Sequence, residues 1–113
     1  MLHTKPVTGG DAQTRRRSAA LFGNEKVAEI VLALEAQQGF ARLTDVSAAT
    51  GIVHSMVRPV LARLVEGGVL EALPRRGGSR SEQFFEVCAG AAWTSLLQLC
   101  RECTRMKAPH ASP

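Results

Sequence analysis

The chain has no tyrosine, one tryptophan and only three cysteines among its 113 residues. The thiols Cys88, Cys100 and Cys103 are odd in number, so they do not form the framework of a disulfide scaffold. No apolar run approaches the roughly 20 residues needed to span a bilayer, and no membrane association is expected. The opening "MLHTKPVTGGDAQTRRR" lacks the apolar core of a signal peptide. A cytoplasmic, nucleoid-associated location is therefore expected. Signatures of catalysis are missing too: there is no Ser-His-Asp set, no Gly-rich phosphate loop and no carboxylate pair suited to a cleft. Neither an enzymatic activity nor a cofactor is expected.

What remains is a globular composition, 45% hydrophobic and 21% charged, in a length that supports one modest core. The formal charge is +4, and its distribution says more than its size. Residues 40 to 80 hold six arginines against Asp45, Glu66 and Glu71. The first 20 residues add Lys5 and the run Arg15, Arg16 and Arg17 against Asp11. Two basic regions in an otherwise slightly acidic chain suit a protein laid on a polyanion.

Residues 1–19 read as a flexible basic arm, although Asp11 to Phe22 has the composition of a short helix capped by Asp11. Asn24 is the expected N-cap of a helix carrying Val27, Ile30, Val31 and Leu34 at amphipathic spacing, with Glu25 in its first turn. Gly39 is expected to end it in a left-handed cap, with Phe40 folding back onto the last turn. "FARL" allows one extended step. Thr44 is then expected to cap a second helix, "DVSAAT", with Val46 and Ala49 inward and Gly51 as its stop. A third helix buries Val57, Leu61 and Leu64, with Val60 beside them, and runs to Gly67-Gly68. "VLEAL" and "QFFEV" are β-prone runs around the turn-forming, charged "PRRGGSRSE". Ala91 to Lys107 closes the pattern as an amphipathic helix. The expected class is mostly α with a small β-hairpin (α+β).

Helix, glycine turn, helix, then a hairpin with a basic tip is the order of a winged helix-turn-helix. "LTDVSAATGIVHSMVRPVLARLVEGGVLEAL" resembles the core of bacterial winged-helix transcriptional regulators of the ArsR, MarR and GntR type. The resemblance is carried by Leu43-Thr44, Ala48-Ala49, Gly51, the stripe Val57, Leu61 and Leu64, and Gly68-Val69-Leu70. It implies a winged domain over residues 20–87, followed by a C-terminal helix over 88–107 and a tail over 108–113. It also implies that Ser55, Arg58 and Arg63 lie at DNA. Helical spacing independently turns His54, Ser55, Arg58, Ala62 and Arg63 outward if the stripe is buried. A major groove admits one helix, and an arginine there can grip guanine through two parallel hydrogen bonds. Thr44 and Ser55 suit phosphates, as do Arg75, Arg76 and Arg80 at the hairpin tip and Arg15, Arg16 and Arg17 in the arm. The expected function is a sequence-specific double-stranded DNA-binding regulator, such as a repressor, on a near-palindromic operator.

Pro59 tests this reading, because a proline inside a helix costs about 3 kcal/mol. Placing it in the first turn removes the cost, so the helix is expected to begin near Ser55 or Met56, or to kink. In the last helix, Trp93, Leu96, Leu97, Cys100 and Met106 exceed what one small core needs, and a homodimer through that face is expected. Two alternatives stand beside the DNA reading. One is a thiol- or metal-responsive repressor using Cys88, Cys100 and Cys103, although two thiols one turn apart supply only half of a tetrahedral zinc shell. The other is a protein-binding winged module without DNA activity.

Overall fold

A computed structural model describes residues 12–74 and 83–105. Arg75, Arg76, Arg80 and Met106 therefore lie outside the described residues, as do the first 11 residues of the expected arm. The chain is mostly helical, with a small antiparallel sheet. Its elements are α1 (Ala12–Phe22), α2 (Val27–Ala36), β1 (Phe40–Arg42), α3 (Leu43–Thr50), α4 (His54–Glu66), β2 (Leu70–Ala72), β3 (Phe84–Val87) and α5 (Ala91–Arg105).

Helix α2 is the centre of the molecule. Val27, Ala28, Glu29, Ile30, Val31, Ala33 and Leu34 are all buried, more than one amphipathic stripe provides. The cause is its surroundings, since α1, α3, α4 and α5 all contact it. Burial of Ala28 and Ala33 lets neighbouring helices approach closely, and Glu29 is tolerated because it is paired. Arg15 Nε donates to Glu29 Oε1 at 2.8 Å and Nη2 to Oε2 at 3.2 Å.

The start of α2 differs from the sequence expectation. Its N-cap is Lys26, with no side-chain cap of its own. Asn24 acts two residues earlier: its Oδ1 accepts the Lys26 N–H at 2.7 Å. The Ser18 hydroxyl supplies the missing acceptor, taking the Ala28 N–H at 3.1 Å while donating to the Asn24 carbonyl at 2.6 Å. Residues 12–19 are thereby a docked helix and not a flexible arm, with Thr14 and Ser18 buried against the body.

Chain reversal after α2 uses two left-handed residues, Gln38 and Gly39, and the Gly39 N–H returns to the Leu34 carbonyl at 2.8 Å. A Cβ at Gly39 would meet Val87 Cβ at 3.3 Å, so glycine serves both the turn and the close approach of β3. Phe40 does not fold back onto α2. Its backbone joins a ladder, and its ring stacks on Phe84 at 4.8 Å between centroids.

The sheet order is β1-β3-β2, all antiparallel, with Ala41 opposite Phe85 and Ala72 opposite Phe85. Alternation of side chains along each strand turns Ala41 and Leu70 into the core, with Phe85 and Val87 against it. Phe40, Arg42, Phe84 and Glu86 take the other face. The expected hairpin is thus present as β2 and β3, and "FARL" contributes a third strand to it.

Helix α5 closes the same core. Trp93, Leu97, Cys100 and Cys103 belong to one buried cluster with the residues of α2 and α4. Residues 20–87 and α5 thus share one core.

Candidate nucleic-acid interface

The outward face of α4 is built by what holds its inward face. Val57, Val60, Leu61 and Leu64 are buried, as the spacing predicts. His54, Ser55, Arg58, Ala62 and Arg63 are all exposed. A helix with one apolar stripe fixed in a core can present its other side in only one rotation about its axis.

The turn before α4 fixes its direction. Gly51 caps α3 at φ 76°, with its N–H donating to the Ser47 carbonyl at 2.8 Å. The Thr50 hydroxyl donates to the Val46 carbonyl at 2.8 Å and accepts the Ile52 N–H at 3.1 Å. The Ser47 hydroxyl donates to the Ile52 carbonyl at 2.5 Å. Buried Ile52 anchors the loop between these polar bonds. Three side chains that sequence reading passed over therefore set the angle between the two helices.

Helix α3 is opened by Arg42 and not by Thr44. The backbone N–H of Arg42 donates to Asp45 Oδ2 at 2.9 Å, and its guanidinium reaches both carboxylate oxygens at 3.2 and 3.0 Å. That guanidinium, with help from the backbone N–H, holds the Asp45 carboxyl below its ordinary pKa. It also lies 5.6 Å from the Phe84 ring centroid, a cation–π contact that ties α3 to the sheet. Thr44 is half-buried in the first turn.

Helix α4 starts at His54, with Val53 as an extended N-cap. The Met56 and Val57 N–H groups donate to the Val53 carbonyl at 3.0 and 3.1 Å. The expected start near Ser55 is thus corrected: Pro59 stands inside the helix, beyond the first turn. Its position explains its tolerance. Pro59 and Ser55 are both exposed, so the helical hydrogen bond that proline cannot make is missing on the outer side of α4 and not in the core. The Val53 side chain offers no acceptor and the first turn carries no acid. The acid nearest this end in the groove beside Ser55 and Met56 is Glu25, which comes from the turn before α2.

Sequence reading named the polar side chains of this face and missed the apolar ones. Val53, at 58% exposure, and Met56, at 46%, stand in water beside Pro59. The same 3.6-residue count that turned Arg58 outward places Met56 and Pro59 outward, on the opposite flank. A shallow groove of about 340 Å³ runs there, lined by Asn24, Glu25, Lys26, Ser55, Met56 and Pro59.

The basic run in α1 is divided. Arg16 is exposed. Arg15 is bound to Glu29, and Arg17 Nη1 donates to the Cys103 carbonyl at 3.1 Å. Arg15 and Arg17 thus tie α1 to α2 and α5.

The last helix is similarly committed. Trp93, Leu97 and Cys100, expected at a dimer face, are buried within the chain's own core, and Leu96 is half-buried. The Trp93 indole N–H donates to Glu35 Oε1 at 3.4 Å. Burial pushes the Cys100 thiol up to about 12, with the neighbouring Cys103 adding to the shift, and desolvation also raises Cys103. Cys88 is exposed while the other two are buried. Among the described residues no three His, Cys, Asp or Glu side chains converge on a metal-holding group. None of the described helices is long and apolar enough to cross a membrane.

The arrangement thus comprises a pinned helix–turn–helix, an outward α4 face with two arginines, and an antiparallel sheet beside it. Comparisons of the chain with protein families, with characterised proteins and with solved structures return no match.

Proposed function

We propose that the chain is a winged helix-turn-helix DNA-binding transcriptional regulator that acts as a homodimer on a near-palindromic site. One observation carries the reading. The only fixed rotation of α4 that buries Val57, Val60, Leu61 and Leu64 leaves Ser55, Arg58, Ala62 and Arg63 exposed together. A helix so held fits a major groove with its N-terminal half toward base edges. In this reading α3 lies across the backbone, and the β2–β3 hairpin is the wing that carries Arg75, Arg76 and Arg80.

The affinity for phosphates and the choice of sequence are separable. Phosphate contacts release counterions, so binding weakens steeply with salt. Arg58→Ala and Arg63→Ala are expected to relax sequence preference, each by about 1–3 kcal/mol if it grips a guanine. Arg75→Ala with Arg76→Ala is expected to weaken all DNA alike. Selection of bound sequences from random duplex DNA, followed by fluorescence anisotropy over a salt series, measures both. Unchanged binding in both double variants would end the DNA reading and leave the protein-binding module in its place.

The cysteine-sensor alternative receives no support from the packing, since Cys100 and Cys103 are core residues and Cys88 is apart from them in exposure.

A further inference from the structure

The exposed apolar residues of α4 call for an occupant. Water is a poor solvent for Val53, Met56 and Pro59, and single exposed apolar side chains need no explanation. Three within seven residues, at the start of a helix whose outer side also carries Arg58 and Arg63, do. The two arginines make that side attractive to a polyanion, while in the adjoining groove Lys26 is paired with Glu25 at 3.7 Å and adds no free charge.

We infer that Met56 and Pro59 read the 5-methyl groups of thymine, so that the preferred site pairs guanine with thymine in neighbouring base pairs. The inference rests on the DNA reading above and extends it from which helix binds to which base is chosen. The thymine methyl is the one apolar feature on the major-groove edges of the four bases, and apolar side chains are what recognise it.

The geometry suits this chemistry. Met56 and Pro59 are three residues apart, about 4.5 Å along the axis at 1.5 Å per residue. They stand on one flank of α4, so they can contact one methyl or two on successive steps. Methionine is unbranched and adjusts to the methyl's position. Proline presents a rigid apolar ring to the same flank. Arg58 stands on the other flank and Arg63 one turn beyond Pro59, which places guanine contacts beside the thymine contact. The proline inside the helix then serves recognition: its ring is part of the reading surface, at the expense of one solvent-facing hydrogen bond.

The test uses the full chain and its own selected DNA. Duplexes chosen from a random pool are remade with each thymine in turn replaced by deoxyuridine, which removes only the methyl group. Loss of one buried methyl is expected to weaken binding about fourfold at one or two positions, and to have no effect elsewhere. Met56→Gln, an exposed substitution of similar length, is expected to abolish that fourfold difference while leaving the thermal transition unchanged. Pro59→Ala is expected to reduce it. If the selected duplexes bind but tolerate uracil at every position, or if uracil sensitivity persists in Met56→Gln and Pro59→Ala, the thymine inference is wrong and the DNA reading survives. If no duplex is selected, both are wrong.

Discussion

At the scale of single residues, Glu29 is the most constrained side chain. It is fully buried, and its carboxylate has the bidentate Arg15 as partner. Removing one member of a buried pair leaves the other charge without compensation. Arg15→Ala is therefore expected to cost about 3 kcal/mol in urea unfolding, at the lower end of the usual range because Arg15 is a third exposed. The double variant Arg15→Met with Glu29→Met is expected to recover most of that loss, since a well-packed apolar pair replaces a desolvated one. The thiols make a second residue-scale case. Cys100 stays protonated in the folded chain far above the ordinary value, its pKa having been pushed up to about 12. Its contribution to stability is present below the unfolded value of about 8.5 and is lost as pH rises toward the folded one. With Ellman's reagent at mildly alkaline pH, Cys88 is expected to react at once and Cys100 and Cys103 only on unfolding. Three equally fast thiols would show that α5 is not held on the core.

At the scale of elements, the helix–turn–helix joint depends on one backbone conformation. Gly51 sits at φ 76° and a Cβ there would meet no atom within 4 Å. Gly51→Ala thus tests strain alone and is expected to cost about 1–2 kcal/mol in thermal unfolding. In the DNA reading, it also weakens binding through the changed angle of α4. Helix periods made the buried stripes of α2 and α4 legible, because burial of Val57, Val60, Leu61 and Leu64 follows from spacing alone. Gly51 was legible for the same kind of reason, a stop between two periodic runs. The caps were not. Asn24 and Thr44 have the chemistry of N-caps, yet Ser18 and Asp45 take the work from other positions. A partner 10 residues away, as Ser18 is from Ala28, leaves no mark in local sequence. Pro59 is a related case: its cost depends on which side of the helix it occupies, and here that side is exposed.

At the scale of the whole molecule, the amphipathic α5 was legible as a helix but its partner was not. Periodicity shows that a face is apolar, not what covers it. Here α1 and α2 cover it from within the chain, and what remains exposed is Leu21 on α1, at 54%, and Leu99 on α5. They border a cleft of about 240 Å³ together with Ala20, Arg17, Glu102 and Cys103. The homodimer proposed above is tested at this cleft. Leu21→Lys with Leu99→Lys is expected to shift the chain to monomer in analytical ultracentrifugation without lowering its thermal transition, because neither side chain belongs to the core. An unchanged sedimentation coefficient would remove this surface from consideration.

The lone indole has a consequence for how all of this can be followed. Trp93 is nearly fully buried between α5 and α2, with its N–H on Glu35, and the chain has no phenol to blur its emission. Ultraviolet fluorescence from this protein is therefore the optical record of a single joint. A red shift means that the last helix has lifted from the second, whatever the rest of the fold is doing. Glu35→Gln, which keeps an acceptor but removes the charge, gives that signal a built-in reference.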